Sequence, residues 1–385
     1  MTIPVLLVST GTMWVGTARF PRALARAGFE VALLGPRGAL AEKSRFVHKI
    51  GHLPEAATAA QWVYAFAAMV KGVAPAIVLP CDDMAFRLLC TLHSDPPPGM
   101  QPALHAELAA LIVHSLGDPG WYLPSVDKLL LPPAAHALGA RVPPFRVIDS
   151  VADAAAFVAD HGYPVVVKRA WSTAGDGVAI CADRAALEAA CARLSAPAPD
   201  AGPIARAPQL MLQAAIKGRR MFHPALGWRG ELRTGWAAEV LVAHRPPMGT
   251  AAVSRQFHHP GLRDEVARLV RGFGMTGIFG FEFIVEDGTG LPFLLEINRR
   301  VSPGFHRGTD FDADLAAGLL GALTGTPSAS RPRLDDGEEH FAVNFPQEWL
   351  RDPDSAYLRE RPVDVPWDDP GLIEAFLAMR NRKDS

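Results

Sequence analysis

Two glutamates and an asparagine stand at strand-like spacing late in the chain, in a pattern that could hold a divalent cation. The run FLLEINRR (293–300) alternates apolar and polar residues, which is typical of a strand. One face of this strand would carry Leu294, Glu296, Asn298 and Arg300. The preceding run GFEFIVE (280–286) predicts a partner strand, with Glu282 on the side opposite to its phenylalanines.

The length of the loop between these strands decides whether the two carboxylates meet. A three-residue loop at 288–290 sets Glu282 opposite Glu296, whereas a two-residue loop puts them on different faces. Facing carboxylates about 5 Å apart destabilise a hairpin unless a cation neutralises them. Two carboxylates and the amide oxygen of Asn298, completed by phosphate oxygens, suit Mg²⁺. We therefore expect a metal site, and the alternative is a hairpin whose acids face water.

A second candidate site lies in YPVVVKRAWSTAGDGVAI (163–180). Apolar residues lead to Lys168, and a loop with Ser172, Gly175 and Gly177 precedes the next strand. A buried lysine needs an anion, because burial otherwise lowers its pKa. Small loop residues allow backbone N–H groups to approach that anion, although the order differs from a Walker A motif. The pattern favours a phosphate-binding loop, and the alternative is a lysine that reaches solvent above a flexible hairpin.

The elements that precede these sites alternate between strand and helix patterns, which predicts βαβ units and a parallel sheet. The strand runs are PVLLVST (4–10), EVALLGP (30–36) and PAIVLPCDD (75–83). The turn at 9–17 has glycines but lacks GxGxxG, so we expect a tight turn rather than a dinucleotide site. Asp82 and Asp83 either cap a helix or contact a substrate at the end of their strand.

Taken in order, these motifs resemble the ATP-grasp superfamily over roughly residues 122–325. The matching segments are VDK (126–128), VVVKR (165–169), STAGDGV (172–178), LMLQAAIKG (210–218), GFEFIVE (280–286) and LLEINRR (294–300). The resemblance implies a mixed α/β and α+β fold: an N-terminal Rossmann-like domain with a parallel sheet, then an ATP-grasp module of two subdomains. The implied ranges are 1–121 for the pre-ATP-grasp domain, 122–208 for the small subdomain region, 209–330 for the large subdomain with the metal site, and 331–385 for a C-terminal extension packed on the body.

The resemblance also implies roles for individual residues around an ATP molecule held between the subdomains. The phosphates would be contacted by Lys128 and Lys168, under a loop that contains Ser172, Gly175 and Gly177. The adenine edge would be read by the backbone around Gln213, Ala215 and Ile216. The Mg²⁺ or Mn²⁺ ion would be held by Glu282, Glu296 and Asn298. Arg300 would face the γ-phosphate and an acyl phosphate, so Arg300 and Lys168 are the implied catalytic residues.

The sequence departs from the superfamily pattern at several positions. Arg220 stands where relatives often have a carboxylate for the ribose hydroxyls, and Arg299 stands where many have proline. Gly280 stands where D-alanine ligases tend to have arginine, and the Glu-His-Pro continuation of biotin carboxylases is missing after Arg300. Both subfamilies are thereby disfavoured, and the residues that meet the ribose and Arg299 are unassigned.

Candidate substrate contacts follow from the same resemblance. The loop 302–316 comes directly after the metal strand, so Gly304 and His306 could line an acceptor pocket. Ordinary loop packing is the equal alternative for His306. Arg255, between the strands and a helix, is a candidate contact for the substrate or the acyl phosphate.

Composition excludes other classes of function. The chain has 385 residues, of which 49% are hydrophobic and 20% charged, so it is globular. A net charge of −2 gives no reason to expect nucleic acid or an anionic membrane as a partner. The four cysteines lack CxxC spacing, which favours reduced thiols. With no signal-peptide pattern at the start and no membrane span, we expect a soluble cytoplasmic protein.

These observations predict an ATP- and Mg²⁺-dependent, ADP-forming ligase. It would join a small-molecule carboxylate, such as an amino acid or small acid, to an amine through an acyl phosphate. One alternative is another ATP-grasp activity, of the carboxylase or carbamoyl-phosphate synthase type. The other is a nucleotide-binding regulatory protein without turnover. The tail at 345–370, rich in aromatic residues, is expected to pack on the body, or to mediate a homodimer.

Overall fold

The chain folds around three β-sheets, each built from a different part of the sequence. The computed structural model describes residues 2–54, 57–149, 151–170, 177–196, 209–245, 248–256, 259–311, 313–326 and 340–381. The predicted mixed α/β and α+β fold, with an N-terminal parallel sheet, is confirmed. None of the described helices combines the length and the apolar character needed to cross a membrane.

The N-terminal unit is a four-stranded parallel sheet with helices on its faces. In chain order its elements are β1 (Ile3–Val8), α1 (Val15–Ala27), β2 (Phe29–Pro36), β3 (Lys49–Leu53), α2 (Ala59–Val73), β4 (Ile77–Pro80), α3 (Asp83–Ser94) and α4 (Pro102–Leu116). The strand order is β3-β2-β1-β4. Gly28 ends α1 in the left-handed conformation, with φ of 109°, as the glycine after the helical pattern predicts.

The second sheet is antiparallel, with strand order β5-β8-β6-β7. Its region contains α5 (Leu131–Ala137), β5 (Phe145–Ile148), α6 (Val151–His161), β6 (Val165–Arg169), β7 (Val178–Cys181), α7 (Arg184–Ser195) and β8 (Leu210–Ala214). We predicted that the large subdomain begins at residue 209. The strand β8, which begins at Leu210, pairs with both β5 and β6 of the smaller sheet, and the predicted domain bounds stay a prediction.

The third sheet has seven strands and carries the predicted metal hairpin. Its region contains β9 (Gly218–Trp228), β10 (Glu231–Gly235), β11 (Ala238–Arg245), β12 (Met248–Gln256), α8 (Pro260–Gly272), β13 (Gly277–Glu286), β14 (Pro292–Asn298) and α9 (Leu315–Thr324). The strand order is β14-β13-β9-β11-β12-β15, with β10 paired to β9. The last strand, β15 (His340–Val343), comes from the C-terminal segment, followed by α10 (Gln347–Arg351), α11 (Ala356–Glu360) and α12 (Pro370–Asn381).

One apolar cluster joins the N-terminal unit to the third sheet and to the C-terminal segment. It contains Phe20 of α1, Leu226 of β9, Phe305, and Leu372 and Phe376 of α12. The C-terminal segment therefore packs on the body through both a β-strand and a helix. All four cysteines are free thiols, and three of them are buried.

Candidate active site

Glu282 and Glu296 lie directly opposite each other in the β13–β14 hairpin, as predicted, but for a different structural reason. The loop is not the predicted three residues, because the Glu286 N–H donates to the Leu291 carbonyl at 3.0 Å and the turn spans 287–290. Near the turn, Phe283 pairs with Leu294, and a β-bulge then adds Leu295 to β14. The extra residue restores the pairing that an even-numbered loop alone would have broken.

The bulge also changes which side chains share a face. Leu294 was predicted on the same face as Glu296, but it is 2% exposed and packs with Phe281, Phe283 and Ile297 in the core. The strict alternation of a regular strand does not hold across a bulge, so this prediction was wrong. The core face is thus continuous through the bulge, and the carboxylates stay on the other face.

Each carboxylate has its own cationic partner. Lys128 Nζ lies 3.9 Å from Glu296 Oε2, and Arg220 Nη2 lies 3.2 Å from Glu282 Oε2. Asn298 Nδ2 makes a long contact of 3.4 Å with Glu282 Oε1. Burial raises the pKa of Glu296, and the neighbouring Glu282 adds to the effect while Lys128 opposes it. The pair therefore favours a cation between or beside the two carboxylates.

The two predicted phosphate-binding lysines converge on this hairpin. Lys168 is the fourth residue of β6. Its Nζ lies 3.5 Å from the carbonyl oxygen of Leu295, the residue that forms the bulge. The pKa of Lys168 is lowered to about 8, chiefly by burial; Glu296 opposes this shift and Lys128 adds to it. Backbone hydrogen bonding also joins the two segments, because the Lys128 N–H donates to the Ala170 carbonyl at 3.2 Å. A lysine pair beside two carboxylates suits a ligand that combines metal and phosphate.

The predicted phosphate loop is only partly described. Ser172 and Gly175 lie outside the described residues. Gly177 lies at the return of the loop, where its carbonyl accepts from the Arg169 N–H at 2.9 Å. The loop therefore leaves and re-enters the sheet next to Lys168.

Arg300 is held by a network that the sequence did not assign. Its Nε donates to Asp83 Oδ1 at 2.8 Å, its Nη2 to Asn298 Oδ1 at 2.9 Å and its Nη1 to Ser302 Oγ at 2.6 Å. The guanidinium also lies over the ring of Trp14, 5.3 Å from its centroid. Trp14 and Asp83 of the N-terminal unit thus help to fix the orientation of the arginine that follows the metal strand.

The two aspartates at the end of β4 have separate roles. Asp82 is the N-cap of α3, accepting from the Ala85 N–H at 2.8 Å, and it also accepts from Ser9 Oγ and the Thr10 N–H. Asp83 is the residue that reaches Arg300. The helix-cap alternative is therefore confirmed for Asp82, and a substrate contact at the end of this strand stays a prediction.

Arg299, to which the sequence analysis assigned no partner, is buried on the side of the chain opposite to Arg300. Its guanidinium lies between the rings of Phe86 and Phe279, 5.2 and 5.7 Å from their centroids. It donates to Ser125 Oγ at 3.1 Å and to the Leu116 carbonyl. Burial lowers its pKa to about 10. The alternation of side chains at 299 and 300 was the only sequence signal for this placement.

The predicted adenine-reading segment begins in the sheet that carries Lys168. Gln213 is buried at 2% exposure and pairs with Phe145 on one side and Val166 on the other. The Ala215 N–H donates to the Pro164 carbonyl at 3.3 Å, and Ile216 follows, half-buried, at the approach to β9. This segment connects the two antiparallel sheets, as a hinge would.

Arg255 lies on the face of the sheet opposite to that of Glu282, and its predicted substrate contact stays a prediction. The register of neighbouring strands sets Arg255 opposite Glu239 and Glu239 opposite Met221. Met221 is in turn opposite Phe283, whose side chain lies in the core. Residues directly opposite in adjacent strands point to the same side, so Arg255 points away from Glu282. Its Nη2 instead lies 2.6 Å from Glu239 Oε2.

His306 is engaged in a buried ionic cluster with the C-terminal segment. Its Nε2 lies 2.6 Å from Asp364 Oδ2, and Arg19 contacts both residues. Burial and then Arg19 lower the pKa of His306 to about 4, so the ring is neutral at pH 7. The packing alternative therefore fits His306 better. Gly304, with φ of 87°, lies beside the side chain of Asn344 and keeps the predicted position after the metal strand.

The donor set fits a hard divalent cation in its chemistry. In the part of the chain that the structure describes, no group of three or more His, Cys, Asp or Glu side chains is placed to hold a metal. The predicted set has two carboxylates and one amide, and the Asn298 oxygen accepts from Arg300. Such an incomplete oxygen shell requires further oxygen ligands, as phosphates provide for Mg²⁺.

Part of the chain is similar to a known protein family. Residues 127–220, which include Lys128, Lys168 and Gln213, match the family model described as carbamoyl-phosphate synthase L chain, ATP binding domain. No curated protein sequence gives a significant match to the chain.

Three solved structures illustrate the structural likeness. The biotin carboxylase domain of 2-oxoglutarate carboxylase from Hydrogenobacter thermophilus has a TM-score of 0.62 at 16% identity, over 84% of this chain and 70% of that one. Carboxyaminoimidazole ribonucleotide synthase from Aspergillus clavatus has a TM-score of 0.62 at 13% identity, over 88% and 81%. The L-amino acid ligase from Bacillus licheniformis has a TM-score of 0.58 at 15% identity, over 86% and 78%. These likenesses show that the chain has an ATP-grasp fold, and its residues 127–220 match an ATP-binding domain.

Proposed function

We propose that the protein is an ATP- and Mg²⁺-dependent ligase that joins a carboxylate to an amine through an acyl phosphate, releasing ADP and phosphate. The observation that carries the proposal is the convergence of Lys128 and Lys168 on the paired carboxylates Glu282 and Glu296. Phosphoryl transfer depends mainly on positioning and charge neutralisation, and these four side chains supply both.

In this proposal the chain's own residues orient the two reacting groups. Lys128 and Lys168 bind phosphate oxygens, and the backbone from Gln213 to Ile216 reads the adenine. Glu282, Glu296 and Asn298 hold Mg²⁺ or Mn²⁺, which would neutralise charge on the β- and γ-phosphates. Described protein contacts already orient Arg300, so it can face the transferred phosphoryl group without first being ordered.

The proposed acid substrate binds near Arg300, in front of the loop that contains Gly304. Attack of its carboxylate oxygen on the γ-phosphorus forms the acyl phosphate and expels ADP. The amine nitrogen then attacks the acyl carbon, phosphate leaves, and the amine loses a proton. Neither step requires a nucleophilic side chain, because positioning and charge stabilisation supply the catalysis.

Bicarbonate is a second candidate for the acid. The Hydrogenobacter thermophilus structure is described as a complex with MgADP and bicarbonate, and the matching family model is that of a carbamoyl-phosphate synthase chain. Bicarbonate would react as the carboxylate does, giving carboxyphosphate. An amine would then attack its carbonyl carbon, phosphate would leave, and the amine would be carboxylated. This alternative differs from the first in one measurable property, the dependence of ADP release on bicarbonate.

The decisive experiment measures ADP release with Mg²⁺-ATP across a panel of carboxylates and amines, with and without bicarbonate. Glu296→Gln removes one metal carboxylate and should abolish the stimulation by any productive pair. Glu286→Gln is the matched control, because Glu286 lies on the same hairpin but accepts a hydrogen bond from Thr289 in the exposed turn. A panel in which no acid raises ADP release above the Glu296→Gln level would overturn the ligase proposal and favour a regulatory role.

The proposed homodimer is tested separately. The Hydrogenobacter thermophilus domain is described as a dimer, and Trp367 of this chain is 78% exposed in the C-terminal segment. Light scattering of the purified protein and of a Trp367→Glu variant would detect a dimer that uses this surface.

A further inference from the structure

The partner of Glu282 does not belong to the lysine pair. Glu296 faces Lys128 at 3.9 Å, whereas Glu282 makes an ion pair and hydrogen bond with Arg220 at 3.2 Å. Arg220 comes from β9, which carries neither predicted phosphate lysine. It is also the residue that stands where the family pattern places a carboxylate. Its position therefore needs a separate explanation.

Sheet register places Arg220 on the carboxylate face. On β9 and β13, Phe222 pairs with Glu282 and Arg220 pairs with Ile284. Because side chains two residues apart share a face, the guanidinium of Arg220 lies diagonally beside Glu282. Its neighbour Arg219 points to the other face, where it lies 3.6 Å from Glu239. One strand thus presents one arginine to each face.

A second contact holds the Arg220 guanidinium in place. Nη2 also donates to the carbonyl of Gly249 at 2.9 Å, and Gly249, the second residue of β12, has a φ of 96°. The buried Nη1 has no hydrogen-bond partner among the described residues. Arg220 therefore connects the β11–β12 hairpin to the first metal carboxylate and keeps one donor available.

A divalent ion at Glu282 would lie within a few ångströms of this guanidinium. In a partly buried site, like charges at that separation are strongly unfavourable. A bare ion would have to displace Arg220 without giving it another anion. An ion that arrives on a polyphosphate brings acceptor oxygens, to which the released guanidinium can donate through Nη1 and Nη2.

We propose that Arg220 competes with the divalent cation for Glu282, so that the site accepts the cation as its nucleotide complex and rejects the bare ion. Arg220 is in this sense a positioning residue: it acts through Glu282 and determines the form in which the metal enters. The inference rests on the proposed metal–nucleotide site, and it adds an order of binding that the ligase proposal does not require.

The test titrates Mn²⁺ into the full-length protein without nucleotide and follows free Mn²⁺ by its EPR signal. Arg220→Gln should bind bare Mn²⁺ at least about tenfold more tightly than the wild type, because a competing cation is removed. Arg220→Lys, which keeps the charge, should resemble the wild type. Arg219→Gln is the matched control, since it removes the same charge from the opposite face and should leave Mn²⁺ binding unchanged.

The double variant Arg220→Gln with Glu282→Gln shows whether the gain depends on the freed carboxylate. Loss of the added affinity in the double variant supports the competition. Equal Mn²⁺ affinity in wild type and Arg220→Gln, or a gain that survives Glu282→Gln, overturns it. Arg220→Met, checked for a cooperative thermal transition, replaces Arg220→Gln if the latter does not fold. Failure of the ligase proposal is a different result, namely absent ADP release with every substrate pair.

Discussion

Lys168 Nζ lies 3.5 Å from the carbonyl oxygen of Leu295, the residue that the β-bulge adds to the metal strand. The same irregularity therefore sets Glu296 opposite Glu282 and offers a backbone acceptor to the lysine. A single carbonyl is a weak partner for a buried ammonium group, and burial lowers the pKa of Lys168 to about 8. A stronger anion in this position would reverse that shift.

We expect binding of Mg²⁺-ATP to take up protons at pH 8 to 9. Phosphate oxygens next to Lys168 favour its charged form, so a group that is largely neutral in the free protein becomes protonated on binding. The apparent affinity should consequently fall as the pH rises above about 8. Calorimetry in two buffers of different ionisation enthalpy measures the uptake. Lys168→Gln should abolish it, whereas Lys71→Gln, on an exposed position of α2, should not. Identical heats in both buffers would contradict this expectation.

Asp364 should contribute to stability in a pH-dependent way. Burial opposes its ionisation, but Arg19 and His306 outweigh burial and hold the pKa of this carboxyl well below its usual range. Its stabilising effect is thus present above the unfolded pKa of about 3.9 and is lost as the pH falls toward the lower folded value.

Asp364→Asn should therefore lower the free energy of unfolding by about 3 kcal/mol at pH 7, since it leaves buried cations unpaired. The difference from the wild type should shrink below about pH 4. Urea denaturation at several pH values measures both quantities. Asp310→Asn, which removes an exposed partner of Arg307, is the control and should change little. A pH-independent difference would show that Asp364 acts through packing alone.

Arg299 and Arg300 should separate stability from activity. Arg299→Ala removes a buried cation from between two rings, together with its hydrogen bonds to Ser125 and to the Leu116 carbonyl, which should cost about 2–4 kcal/mol. Arg300→Ala should strongly lower ADP release, and it should lower the thermal midpoint less than Arg299→Ala does. Arg271→Ala, on the exposed side of α8, is the stability control. Equal losses of stability in both variants would refute the division of roles.

Gly16 should tolerate no side chain. A Cβ there would lie 2.7 Å from the backbone carbon of Ser302 and 2.8 Å from the nitrogen of Pro303, and backbone atoms cannot move aside cheaply. Gly16→Ala should cost roughly 1–3 kcal/mol and should also reduce ADP release, because Ser302 helps to hold Arg300. The control is Gly261→Ala, where the nearest atom is 3.7 Å away. Wild-type activity and stability in Gly16→Ala would contradict the close packing.

The order of strands and helices was predictable because it follows from local periodicity, whereas the pairing of Glu282 with Glu296 was predicted from a loop length that proved wrong. The bulge at Leu295 was not predictable, since no residue type there demands an irregular backbone. The observed pairing resulted from an even-numbered loop combined with that bulge. The bulge also puts Leu294 in the core, whereas a regular strand would place it on the face of Glu296.

The surroundings of the other site residues could not be predicted, because their neighbours in the fold are distant in the sequence. The face on which Arg255 lies depends on pairing across three neighbouring strands, which periodicity within one strand cannot supply. The partner of His306 lies 58 positions away in the C-terminal segment. Arg299 and Arg300 were predicted on opposite sides, but their partners come from the N-terminal unit.

The strand β15 and the helix α12 have a consequence for synthesis on the ribosome. The edge of β12 obtains its partner only when residues 340–343 have emerged, and the apolar face around Phe20 is covered only after Leu372 and Phe376 follow. An open strand edge and an uncovered apolar face are surfaces that chaperones bind and that promote aggregation. The nascent chain therefore leaves this strand edge and this apolar face uncovered until residues 340–376 have left the ribosome.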